Sequence, residues 1–368
     1  MTTCAPGRAA ALADLIAYAW FQIGFRPRDS VVVVGLRHGR LAGAVARIDR
    51  PPRSHESAAI EALLQPLRRT GDNGVVVLLV SDRRQLLPHS RFARRITEGF
   101  EREGFEVLDV VQVGPAHYAS YLCVDETCCP ATGHPIEAVG GSAVAAGMVL
   151  RGRTCVAAED DLVADVRPAP STEVSGPVAV RGVTVSRQMR TRWLQSWLSQ
   201  TRRRDEGDGP SAGTVVDGAD WLLTALEDHT TRDAILVTIA QSGPRGARTA
   251  RALLAGRFEG LAEALAGQVP DRAVAERARI LLAAVARQAP VGRRAEALAA
   301  LAWAAWWLGE AARSRLLCEL ALQDRPGHRL AALVDQLLRH AVPPPWLALP
   351  DGSPGNAATS SPTVSSEY

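Results

Sequence analysis

The sequence predicts two structural classes in one chain: an α/β unit with a mixed sheet and flanking helices, then an all-α, tetratricopeptide-like helical unit. Three observations carry this. The β-branched runs Val31–Val34 and 75–80 are long and apolar enough for fully buried strands, and such runs are confined to the first third of the chain. Around them, strand patterns alternate with amphipathic helical ones. From Gly218 to about His340 only helical periodicity is found, interrupted by Gly and Pro turns.

Residues 9–21 form the first predicted helix, with Leu12, Leu15, Ile16 and Ala19 on one stripe and Gly24 as its stop. Asp29 and Ser30 lead into the first strand, Arg37–Arg40 reads as a turn, and 41–48 as the returning strand of a hairpin. A helix over 54–69, a turn at Asp72-Asn73-Gly74, a strand at 75–80 and a helix over 90–103 follow. Strands at 106–113 and 117–123 complete the sheet. The hairpins demand antiparallel neighbours, while the two β-α-β passages favour parallel ones, so the sheet is expected to be mixed. Ser142 is placed to cap a short helix through Leu150.

The expected divisions are an α/β domain over 1–156, a connector with a basic helix over 157–213, a helical domain over 214–346 and a disordered tail over 347–368. Within the helical domain, apolar stripes mark helices over 251–266, 272–287, 294–308 and 311–322. Residues 298–326 follow the pattern of one tetratricopeptide repeat. Leu301, Ala302 and Ala305 occupy the tight-packing positions, Gly309 the turn, Ser314 and Ala321 the second helix, and Pro326 its end. Trp303, Trp306 and Trp307 then become candidates for binding a protein partner.

Composition excludes several chemistries. The chain has 368 residues and 42 basic ones, every one of them Arg. Without Lys there is no pyridoxal-phosphate Schiff base, no P-loop NTPase and no protein kinase. No Gly-x-Gly-x-x-Gly, Gly-x-Ser-x-Gly or His-Glu-x-x-His motif occurs. Net charge of +3 is too small to argue for nucleic acid or an anionic membrane. Asp14 interrupts the apolar N-terminal stretch, the longest uncharged apolar run is Ala297–Leu308, and six Cys are too few for a disulfide scaffold. A cytoplasmic protein with no membrane span and reduced thiols is expected.

Four places could carry chemistry. Cys123, Cys128 and Cys129, with His134 nearby, offer thiolate and imidazole ligands suited to zinc, although adjacent cysteines are an unusual spacing. Buried small hydrophobes are the competing account of these residues. Asp29, Ser30, Arg47 and Asp49 meet at one end of the predicted hairpin, where an Arg and two carboxylates could bind a charged small molecule or serve a hydrolase-like or metal-dependent enzyme. The alternative there is a cap and ion pair that order the hairpin. Residues 181–204 hold seven Arg and no acid, interleaved with Trp193 and Trp197; Arg beside aromatics suits nucleic acid, but packing of the Trp pair on the body of the protein is favoured. The fourth is the Trp303, Trp306 and Trp307 cluster.

Three segments together resemble one family: Gly24-Phe25-Arg26-Pro27-Arg28-Asp29-Ser30 running into Val31–Leu36; Tyr121-Leu122-Cys123 through Cys128-Cys129-Pro130 to Gly133; and Leu301-Ala302-Trp303 through Trp306 and Gly309 to Pro326-Gly327-His328. Over roughly residues 10–340 the chain is similar to the actinobacterial domain of unknown function 4192. The resemblance implies no activity and supplies no catalytic residues. The sequence therefore favours a non-catalytic protein, an α/β domain that senses or holds a ligand joined to a helical domain that binds a protein, over an enzyme or a nucleic-acid binder.

Overall fold

The structure, a computed structural model, describes residues 8–41, 44–82, 91–168, 185–202, 219–266 and 268–347. The expected C-terminal tail, most of the Pro- and Ser-rich connector and the 203–210 linker lie outside the described residues. The chain divides into two compact units, with the boundary between Glu159 and Asp160.

The first unit is built in the order α1 (Arg8–Ile23), β1 (Ser30–Leu36), β2 (Val45–Asp49), α2 (Glu56–Thr70), β3 (Gly74–Val80), α3 (Arg91–Arg102), β4 (Glu106–Val113), β5 (His117–Ser120), β6 (His134–Pro135), α4 (Glu137–Gly140) and α5 (Ala143–Leu150). The strands form one six-stranded sheet in the order β2-β1-β3-β4-β5-β6. Among the described strands of this sheet, β3 and β4 are the parallel pair; β1 is antiparallel to both β2 and β3. The first β-α-β passage therefore makes β2 and β3 point the same way without making them neighbours, because β1 lies between them. The second passage gives the expected parallel pair.

The strand period of two explains why the central runs are apolar throughout. Val32, Val34, Leu36, Val76, Leu78, Val111 and Val113 face one core with α1. Val31, Val33, Val75, Val77, Leu79 and Val110 face a second core with Leu63, Leu64 and Leu67 of α2 and Phe92, Ile96 and Phe100 of α3. Gly35 in β1 has a specific packing role: a Cβ there would lie 2.2 Å from Oδ2 of Asp72 and 2.7 Å from Leu67. That carboxylate oxygen accepts from the Ala44 N–H at 2.9 Å and the Thr70 hydroxyl at 2.6 Å, tying the end of α2 to the hairpin.

The second unit opens with the larger part of a 3₁₀ segment (Glu159–Val166). It continues with α6 (Arg187–Arg202), α7 (Ala219–Glu227), α8 (His229–Ala240), α9 (Gly243–Leu254), α10 (Leu261–Leu265), α11 (Arg272–Gln288), α12 (Ala295–Trp307), α13 (Ala311–Asp324) and α14 (Arg329–Arg339). One hydrophobic core runs through it and includes Val166, Leu194, Trp197 and Leu198. Segments that read as connector are thus packed parts of the helical unit. Arg313 and Arg294 clamp the 3₁₀ segment by donating to the carbonyls of Leu162 and Val166, both at 2.5 Å.

The single helix expected over 251–266 is two helices, α9 and α10. Gly256 and Gly260, at φ 73° and 75°, occupy left-handed conformations that end one helix and start the other. The hairpin of α12 and α13 turns at Gly309, φ 80°; Ala302 and Ala321 are fully buried, and the Ser314 hydroxyl of α13 donates to the Ala302 carbonyl of α12 at 2.7 Å. No helix among the described residues is long and apolar enough to cross a membrane.

Candidate metal centre and other predicted sites

The cysteine loop is assembled from β4 outward. Asp109, buried in β4, accepts the Ser120 hydroxyl proton at 2.7 Å, and the Ser120 oxygen in turn accepts from the N–H groups of Leu122 at 3.2 Å and Cys123 at 3.0 Å. This capture of backbone donors by a side chain ends β5 at Ser120, short of the expected Cys123. Asp125 makes the next turn: its carboxylate accepts from Thr127 N–H at 2.9 Å, and its carbonyl accepts from Cys128 N–H at 3.1 Å and Cys129 N–H at 2.7 Å.

Folded this way, the loop brings the Sγ atoms of Cys123, Cys128 and Cys129 within 4.8 Å of one another, two half-buried and Cys129 buried. Tetrahedral zinc with Zn–S bonds of about 2.3 Å requires sulfurs roughly 3.8 Å apart, so the cluster has the dimensions to hold a metal ion. The adjacency of Cys128 and Cys129, awkward on paper, is resolved because both N–H groups turn onto the Asp125 carbonyl. Cys128 is disulfide-bonded in this structure, so a three-thiolate set requires that bond to be reduced.

His134 stands outside the trio. It lies in β6, pairs with Tyr118 of β5, and sets its ring against that tyrosine at 5.4 Å with the planes tilted by 37°. Its Nε2 is buried and meets no hydrogen-bond partner. Tyr118 also neighbours Cys129: burial raises the phenol pKa first, and the charges of Cys129 and Asp14 raise it further. The thiols of Cys155 and Cys318 belong to a different class. Burial pushes them up to about 11 and about 12, which marks them as packing residues.

At the hairpin end, three of the four predicted residues come together. The Arg47 guanidinium donates to the Ser30 hydroxyl at 3.0 Å, to Asp49 at 2.6 Å and to Glu159 at 3.3 Å, and sits 5.4 Å over the Phe25 ring. The Ser30 hydroxyl donates to the Arg28 carbonyl at 2.6 Å. Asp29 enters through its backbone, at φ 38° and with its carbonyl accepting from Arg50 N–H at 2.9 Å. All three guanidinium nitrogens are engaged by the protein itself, which is the arrangement of a hairpin lock. Glu159, which completes it, lies 112 residues from Arg47 and carries no local signal.

The tryptophans of α12 pack inward to different degrees, with Trp303 only half-buried. Trp307 is 1% and Trp306 8% exposed, and Trp303 stacks on Trp307 at 5.4 Å with ring planes 9° apart. The indole of Trp306 donates to the Val342 carbonyl at 2.9 Å, and that of Trp346 donates to the Trp307 carbonyl at 2.7 Å. Spacing of three and four residues normally marks one face of a helix, but α12 is buried nearly all round, so both Trp306 and Trp307 fall in the core.

Sequence reasoning missed Glu296. This 3% exposed carboxylate of α12 pairs with Arg325, with His328 Nε2 at 3.1 Å and with Arg232 at 3.6 Å. Burial by itself would raise its pKa, but the hydrogen bonds and charges of His328 and Arg325 hold it down at about 2. His328 also caps α14, its Nδ1 accepting from Ala331 N–H at 3.2 Å.

These features define a protein of two parts, a mixed-sheet unit carrying a thiol cluster that could hold a metal and a helical unit organised around α12. The chain belongs to the family described as domain of unknown function (DUF4192), which it matches over residues 13–345. No curated protein and no solved structure matches it.

Proposed function

We propose that this is a non-catalytic ligand-holding and interaction protein whose first unit binds one zinc ion through Cys123, Cys128 and Cys129 in their reduced state. One observation carries the reading: three sulfurs within 4.8 Å of one another on a single loop held by side-chain and backbone hydrogen bonds. We assign the fourth position to His134, whose buried Nε2 has no hydrogen-bond partner and whose ring lies against Tyr118, or else to a water. An ion so enclosed by thiolates would staple the 121–135 loop to β5 and β6, a role in folding rather than in chemistry. The Arg47 network supports the same view, since each of its three nitrogens donates to a protein acceptor. The helical unit is the part proposed to meet a protein partner in the cytoplasm.

The test is native and denaturing mass spectrometry of the full chain purified under reducing conditions with zinc supplied. We expect one zinc-sized increment under native conditions that disappears in Cys128→Ser and is weakened in His134→Ala. A bare chain at saturating zinc, or an increment that survives Cys128→Ser, would overturn the reading.

A further inference from the structure

A second surface lies in the helical unit and owes nothing to the cysteine loop. Helices α6 and α9 pack beside one another. Neither contains a single acidic residue; together they carry seven arginines, four on α6 and three on α9. Their apolar sides are spent on the core, through Leu194, Trp197 and Leu198 of α6 and Ala247, Ala250 and Leu253 of α9. Arg190 is taken by Asp228 in a two-pronged contact. The remaining six, Arg187, Arg192, Arg202, Arg245, Arg248 and Arg251, are all exposed. In α9 the three fall every third residue on the side opposite Ala250, so they form one outward stripe. Arg187 and Arg192, with Gln188, Thr191 and Gln195, line a shallow open depression on α6 whose lining is entirely cationic or neutral hydrogen-bonding.

We infer that the exposed arginines of these two adjacent helices bind the phosphate backbone of duplex nucleic acid without reading its sequence. Guanidinium groups suit phosphate because each can donate two parallel hydrogen bonds while neutralising charge. The tryptophans that make the 181–204 segment look like a base-stacking platform do not take part. Trp197 is fully buried with its indole donating to Thr238 at 2.9 Å, and Trp193 is half-buried. With no exposed aromatic on either helix to stack on unpaired bases, only backbone contacts remain, which favours a duplex over a single strand. An anionic membrane fits less well, since surface helices of that kind bury an apolar face in lipid and both apolar faces here are already in the core.

The experiment is fluorescence anisotropy of the full chain with a labelled 20-base-pair duplex of random sequence, titrated from 50 to 200 mM NaCl. If at least three arginines engage phosphates, log affinity should fall with log salt at a slope of about −2.7, a loss of about 40-fold over that range. The triple variant R245Q/R248Q/R251Q should lower affinity and flatten the slope by up to about 2.7, and the matching Arg→Lys triple should restore most of the salt dependence. Circular dichroism on each variant separates loss of binding from loss of fold. Absence of binding at 50 mM salt, or binding that the folded Gln variants leave unchanged, would overturn the inference. So would capture by phosphatidylserine-containing vesicles without any affinity for the duplex.

Discussion

The Glu296 cluster makes the sharpest quantitative statement about the helical unit. Consider Glu296→Gln, which keeps the side chain's shape and an acceptor oxygen but removes the charge. In the folded unit the carboxyl titrates at about 2, against an ordinary value of 4.5. At about 1.4 kcal/mol per pH unit, that difference is worth about 3 kcal/mol at neutral pH. Because Arg325 is partly exposed, about 2 kcal/mol is the lower end of the expected cost. The direction of the pH dependence is fixed by the sign. A carboxyl whose folded value is depressed contributes its full stabilisation above pH 4.5 and loses it as the pH falls towards 2. The gap between wild type and E296Q should therefore narrow from about 3 kcal/mol at pH 7 to about 1 kcal/mol at pH 3. Urea unfolding followed by tryptophan fluorescence is the assay, since every tryptophan except Trp20 lies beyond residue 160 and reports on this unit. Taking the difference between the two proteins cancels other depressed acids such as Asp228 and Glu276. A variant within about 0.5 kcal/mol of wild type at pH 7, or a gap that stays constant down to pH 3, would refute the reasoning.

Three further outcomes follow from packing. Gly35→Ala should cost about 3 kcal/mol in urea unfolding, because the new methyl displaces the Asp72 carboxylate; in an Asp72→Ala background the same change should cost about 1 kcal/mol less or better, a coupling that a double-mutant cycle measures. Trp307→Ala should lose about 4 kcal/mol and Trp303→Ala clearly less, since only the first ring is fully buried; equal losses would contradict the stacked arrangement. Cys155 and Cys318, with thiols pushed up to about 11 and about 12, should resist iodoacetamide at pH 8 in the native chain and react in urea, as peptide mapping would record.

What could be read from the sequence divides along the range of the interactions involved. Val31–Val34 announces a buried strand because burial on both faces is written into consecutive residues, and the two cores on either side of the sheet bear this out. Which strand lies next to it is another matter. β1 sits between β2 and β3 through backbone pairings that any apolar strand could make, so the mixed character of the sheet could be expected but its order could not. The same limit applies to the sites. The cysteine trio is visible as a spacing, yet what makes it a cluster is Asp109 acting through Ser120, a contact spanning 11 residues between two strands.

The tryptophans show how a local pattern misleads when its environment is missing. On a helix with one wet face, Trp303, Trp306 and Trp307 would be a ready partner surface; on α12, wrapped by α11, α13, α14 and the 341–347 segment, Trp306 and Trp307 fill the core and Trp303 packs half-buried against it. A buried helix of this kind has no polar side of its own, so its one acid, Glu296, must find cations from elsewhere in the fold. They come from α8 and from the Arg325–His328 turn between α13 and α14. The Pro-Gly-His signature that ends the third family-like segment thus acquires a physical reason: Pro326 and Gly327 shape the turn that delivers His328 both to Glu296 and to the first N–H groups of α14.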